Sequence, residues 1–144
     1  MRVVLDTNIL VSALIAPAGY PAAIYNAWES DRFTLLTCAE HIAEVRATLR
    51  KPSLAALIEP YKAGRLINQI KKLAANIVNL PQVRRSADPD DDFLLALAEA
   101  GAADYLVTGD KSGLLTLKKH KRTQIITARQ FAERITTAGR QSLS

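Results

Sequence analysis

An alternation constrains this chain more than any other feature of its sequence. Short apolar runs rich in β-branched residues are each followed by a stretch with helical spacing. Arg2-Val-Val-Leu5 reads as a buried strand, because nothing in it asks for water. Asn8 to Ala16 resumes at once as a helix, with Thr7 as its expected N-cap. Phe33–Thr37, Asn76–Leu80, Asp104–Thr108 and Gln124–Ile126 are the further strands expected. Pro21 opens a helix carrying Ile24, Ala27 and Trp28 inward. Cys38–Leu49 is a helix with Ile42, Val45 and Leu49 as its apolar stripe, and Arg65–Ala75 is clearly amphipathic. Phe93–Ala100 is apolar almost all round and ends at Gly101, which reads as a C-cap, so it is either central to the fold or faces another subunit. Thr127-Ala-Arg-Gln130 has capping-box spacing and opens a last helix with Phe131 and Ile135 inward.

Strands that alternate with helices build a parallel sheet covered on both faces. The expected fold class is therefore α/β: a three-layer α/β/α arrangement around a central parallel sheet of about five strands, with Rossmann-like topology. With no internal repeat or linker, the 144 residues are expected to form one domain, 1–144, with a flexible tail from about 138 to 144. Right-handed crossovers put the C-terminal ends of the strands on one rim, the edge where open α/β sheets bind ligands. Asp6 and Asp110 follow the first and fourth strands, so both belong to that rim.

Each acidic candidate also has a plain structural reading. Asp6 can be a junction or capping aspartate, and Asp110 a turn aspartate after Gly109. Two carboxylates on one rim repel unless a cation, a proton or separation relieves them. Asp88-Pro-Asp-Asp-Asp92 suits the positive end of a helix, but holds more aspartates than capping requires. Of these, Asp92 leads directly into Phe93 and is expected closest to the packed body. Counting from the stripe of Ile42, Val45 and Leu49, Glu44 falls beside Glu40 on the solvent side.

Other chemistries are disfavoured. The two histidines, His41 and His120, form no ligand-like pair, and oxygen ligands alone select Mg²⁺ or Mn²⁺ over zinc. There is no G-x-S-x-G elbow, no Walker-A loop and no G-x-G-x-x-G turn. No aspartate follows two residues after Asp6, which argues against an aspartyl-phosphate phosphatase. No apolar run approaches a membrane span, and the N-terminus carries no signal pattern. Cys38 is the single cysteine, so a reducing cytoplasm is the expected setting. A net charge of +5 points weakly to a polyanionic partner.

Four segments in order, Val3–Ser12, Ala39–Val45, Asp88–Leu95 and Ala103–Asp110, resemble the PIN-domain family, and in particular its small single-domain toxins (VapC-like) of toxin–antitoxin pairs. The resemblance implies an acidic quartet of Asp6, Glu44, Asp92 and Asp110, with Asp6, Asp92 and Asp110 as metal ligands. It is the resemblance that lifts Glu44 above its solvated reading. Asn8 and Thr108 match supporting positions, and Asp90 or Asp91 can substitute for or supplement Asp92. The implied activity is Mg²⁺- or Mn²⁺-dependent hydrolysis of RNA phosphodiesters. Arg46, Arg50, Lys51, Arg84, Arg85, Lys111 and the run Lys118–Arg122 are the candidate RNA-binding cations, the run also reading as a solvated connector. The implied partners are an RNA substrate, a cognate antitoxin and a second copy of the chain. The alternatives are a non-catalytic binding module on the same fold, or a PIN nuclease acting on DNA or in RNA processing.

Overall fold

The strand β1 (Arg2–Leu5) alternates its side chains between two cores, as period-two geometry requires. Val3 and Leu5 enter one hydrophobic cluster and Val4 the other. The computed structural model describes residues 1–109 and 113–143, with side chains through residue 136. The elements after β1 are α1 (Thr7–Ile15), α2 (Tyr20–Glu29), β2 (Thr34–Thr37), α3 (Ala39–Leu49), α4 (Pro52–Ala55) and α5 (Pro60–Leu73). They continue with β3 (Ala75–Asn76), a 3₁₀ turn at Pro89–Asp91, α6 (Asp92–Ala100), β4 (Tyr105–Val107), α7 (Leu114–Leu117), β5 (Lys119–His120), β6 (Thr123–Ile126) and α8 (Ala128–Leu143).

Among the described residues, six strands form one sheet in the order β3-β2-β1-β4-β6-β5, and all pairs are parallel except β5 with β6. The expected three-layer α/β/α arrangement is therefore present, and β1 lies beside β4 at the centre of its sheet. On one face α1, α2, α3, α5 and α8 bury Ile9, Leu10, Ile24, Trp28, Val45, Leu66, Ile70 and Phe131 against Leu5, Leu35, Val107 and Ile126. On the other, α6 and α7 cover Val4, Leu36, Leu106 and Ile125. Here α6 is central: Leu94 to Ala98 are all buried within the chain itself, with Ile77, Leu80 and Val83 of the preceding loop packed against the cluster. Its all-round apolar character thus needs no second subunit.

Four local expectations are corrected. The basic run Lys118–Arg122 is no mere connector, since Lys119 and His120 pair antiparallel with Gln124 and Thr123 to make a sixth strand. The cap of α1 is Asp6 rather than Thr7, which is already helical. The third strand is Ala75–Asn76, where Ala75 was expected in the preceding helix, and α5 starts five residues early because Pro60 opens it. Gly101 caps α6 as expected, with φ −88°, and the left-handed residue that turns the chain after it is Ala102, with φ 51°.

Candidate active site

Where β1 ends, Asp6 becomes a buried carboxylate with 7% of its surface exposed. Its backbone N–H donates to the Val107 carbonyl at 2.9 Å, so the first residue past β1 is fastened to the last residue of β4. Thr108, the next residue of that strand's path, is fully buried, and its hydroxyl donates to Asp6 Oδ2 at 2.7 Å. The Asp6 carbonyl accepts from Ile9 and Leu10, which starts α1 and fixes the direction in which Thr7 leaves the rim.

Thr7 is buried, and its Oγ1 donates to Glu44 Oε1 on α3. Glu44 is therefore turned toward the rim, not toward solvent as periodicity suggested. The buried face of α3 is His41, Val45 and Thr48, and Glu44 lies within that stripe at i, i+3, i+4, i+7 spacing. Since α3 packs against both α1 and α6, it bridges the two faces of the sheet. His41 sits at the centre of this bridge. Its ring lies beside the Leu5 backbone, one residue before Asp6, and 6.0 Å from the Phe93 ring, one residue after Asp92. Burial pushes the His41 pKa down to about 4, and among the described residues its Nε2 has no partner.

Asp92 opens α6 half-buried, and its Oδ1 accepts the backbone N–H groups of Arg85 at 3.1 Å and Ser86 at 2.7 Å. That oxygen holds the loop in place, next to a cavity of about 550 Å³ that Asp92 lines with Gln82, Val83, Arg84, Arg85, Ser86 and Pro89. Asp91 caps α6 and is half-buried, whereas Asp90 is exposed and spends its N–H on Asp88 Oδ1 at 3.0 Å. Asn8 is also exposed. Arg46, Arg50, Lys51, Arg84 and Arg85 are all exposed, and Arg85 is also engaged: its Nη1 meets the Lys119 carbonyl at 3.2 Å and His120 Nδ1 at 2.7 Å. Asp110 and Lys111 lie outside the described residues. Within the basic run, Arg122 pairs with Asp104 at 2.7 Å, beside the start of β4 and away from the rim.

The structure thus joins Asp6 and Glu44 through the adjacent Asp6-Thr7 pair and sets Asp91 and Asp92 at the head of α6. Among the described residues, no three His, Cys, Asp or Glu side chains cluster closely enough to hold a metal ion. The donors gathered around Asp6 are carboxylate and hydroxyl oxygens, the set a hard divalent cation takes.

The sequence of residues 2–112 matches the PIN domain, from the first strand to just past Asp110. The chain belongs to the PIN domain family. PIN domains are generally nucleases that use divalent metals, so this PIN fold is a nuclease fold whose matched span contains all four candidate acids. Comparison with curated proteins gives no match. Among solved structures, this PIN domain is similar to PAE2754 from Pyrobaculum aerophilum, with a TM-score of 0.58 and 20% identity over 94% of this chain and 89% of that one. At that identity the likeness speaks for the fold. No single helix among the described residues is long and apolar enough to cross a membrane.

Proposed function

We propose that this PIN domain is a divalent-metal-dependent endoribonuclease that hydrolyses RNA phosphodiesters as the toxin of a toxin–antitoxin pair. The observation that carries the reading is the Asp6 carboxylate, buried at the C-terminal rim of a parallel sheet and tied to Thr108. A carboxylate so far from water is costly unless charge or hydrogen bonds offset the loss. An oxygen-only site at a strand end suits Mg²⁺ or Mn²⁺.

Asp6 is the residue proposed to hold the cation, with Asp110 and one of Asp91 and Asp92 completing the set. Asp92 has Oδ2 to offer, since Oδ1 serves the loop. When bound, the cation supplies charge neutralisation at the phosphodiester and makes water acidic enough to act at neutral pH. The chain's own groups do the orienting. Thr108 sets the Asp6 rotamer, and Thr7 fixes Glu44 through Oε1 so that Oε2 can orient the attacking water. Exposed Arg46, Arg50 and Arg84 supply the phosphate contacts that an acidic centre needs around it.

The proposed partners are RNA, an antitoxin protein and a second copy of the chain, in the cytoplasm. Resemblance to small single-domain toxins supports the toxin role, and family habit alone supports the dimer. The deciding experiment is Asp6→Asn, a nearly isosteric change. Mn²⁺-dependent cleavage of single-stranded RNA should vanish while circular dichroism stays unchanged, and full activity in the variant overturns the assignment. Expression should also arrest growth, with relief by a neighbouring gene product. Active enzyme without arrest would point to RNA processing instead.

A further inference from the structure

The segment from Ile77 to Asp88 leaves one edge of the sheet at β3 and reaches α6 without forming a strand or helix of its own. Such a long irregular connection needs pins, and it carries the acidic turn at its end. Its polar pins form a chain of contacts that begins and ends on α6. Asp92 Oδ1 accepts the Arg85 and Ser86 amides at 3.1 and 2.7 Å. The Arg85 guanidinium then reaches the edge strand β5, with Nη1 2.7 Å from His120 Nδ1, and His120 Nε2 lies 3.0 Å from Glu99 Oε1. A guanidinium only donates, so Nδ1 of His120 must accept and Nε2–H must donate to Glu99. Asp92 and Glu99 are seven residues apart, which puts both on one face of α6.

We infer that Arg85 and His120 are positioning residues that latch the acidic turn to α6 and the sheet edge, and that Arg85 is not an RNA contact. The charge of Arg85 would suit a phosphate, but its Nη1 is committed to two acceptors within the chain, which fixes where the guanidinium points. His120 is buried at 3% exposure, so it presents one fixed acceptor instead of a solvated ring. This inference rests on the nuclease reading for its activity readout, and has a second readout that does not.

The test compares the full-length protein with Arg85→Ala, Arg85→Lys and His120→Phe. It measures amide hydrogen exchange over residues 82–91, and kcat and KM on single-stranded RNA with Mn²⁺ across a KCl series. The latch predicts exchange at least about tenfold faster in that segment, kcat lower by a similar factor, and KM and its salt dependence unchanged. Arg85→Lys should not rescue, because its shorter side chain keeps charge without reach. A phosphate contact predicts the reverse: unchanged exchange and kcat, a raised KM, a salt slope shallower by about 0.7, and rescue by lysine. That result overturns the proposal, as does faster exchange with kcat unchanged. If His120→Phe does not fold, the two Arg85 variants decide. If the wild-type protein cleaves no RNA, the nuclease reading fails, and exchange alone decides the latch: faster supports it, unchanged overturns it.

Discussion

The Thr108 hydroxyl donates to Asp6 Oδ2 at 2.7 Å, joining two residues that are 102 positions apart in the chain. The parallel register causes the meeting. Leu5 lies opposite Val107, so the next residue on each strand arrives at the rim together. Thr108 N–H is itself bonded to the Ile126 carbonyl at 3.0 Å, which fixes the hydroxyl from the other side.

Thr108→Val removes that donor while keeping the shape of the side chain. It should destabilise the protein by roughly 1.5–3 kcal/mol, the usual cost of a lost hydrogen bond to a charged group. Mn²⁺ affinity should fall with it, and Thr108→Ser should retain both. Urea titration and calorimetric Mn²⁺ titration of the two variants check this.

His41 gives a pH dependence of defined sign. Its folded pKa of about 4 lies below its ordinary 6.5 because burial disfavours the imidazolium. Between these values the unfolded chain binds a proton that the folded chain does not. Stability should therefore fall as pH is lowered from about 6.5 to 4, by roughly 3 kcal/mol at about 1.4 kcal/mol per pH unit. His41→Leu should flatten this window while leaving the carboxylate-driven loss below about pH 4. Urea midpoints at half-unit pH steps measure both, and equal slopes in the two proteins would remove His41 as the cause.

The sheet was legible because its strands are nearly pure apolar runs, and β1, β2, β4 and β6 lie where those runs lie. Asp6 was legible for the same reason, since a carboxylate ending such a run must reach the rim. Glu44 was not. Its helix buries His41 and Thr48, so a face counted from apolar residues alone is rotated away from the true one. The strand β5 was hidden because Lys119 and His120 have the composition of a solvated run, and pairing at a sheet edge is decided by β6, not by local propensity. The Arg85–His120–Glu99 contacts span three separate elements and leave no local pattern to read.

Cys38 should be inert in the folded protein. It is 1% exposed, and burial pushes its thiol up to about 11 from an ordinary 9.0. Thiolate is the reacting form, so at neutral pH its population should be about a hundredfold below that of an unfolded chain. An aromatic disulfide reagent should titrate the thiol promptly in 6 M-range denaturant, roughly the amount needed to unfold a stable domain, and only slowly without it. Rapid reaction under native conditions would contradict this placement.

Gly101 and Ala102 should respond to substitution with opposite signs. A Cβ on Gly101 would stand 2.6 Å from Leu36 Cδ1 and 3.2 Å from the Leu97 carbonyl. Its φ of −88° is open to any residue, so the glycine is needed for the close approach of α6 to β2, and not for its conformational freedom. Leu36 is fully buried in the cluster beneath α6, which limits how far it can yield. Gly101→Ala should therefore cost about 1–3 kcal/mol, as overpacked cores do. Ala102 is the residue that adopts the left-handed conformation, at φ 51°. A side chain there costs roughly 1 kcal/mol relative to glycine, partly offset by glycine's greater freedom in the unfolded chain. Ala102→Gly should thus be neutral to stabilising by up to about 1 kcal/mol. Urea denaturation of the two single variants reads the contrast directly, and a Gly101→Ala variant as stable as the wild type would mean that α6 and β2 do not pack this closely.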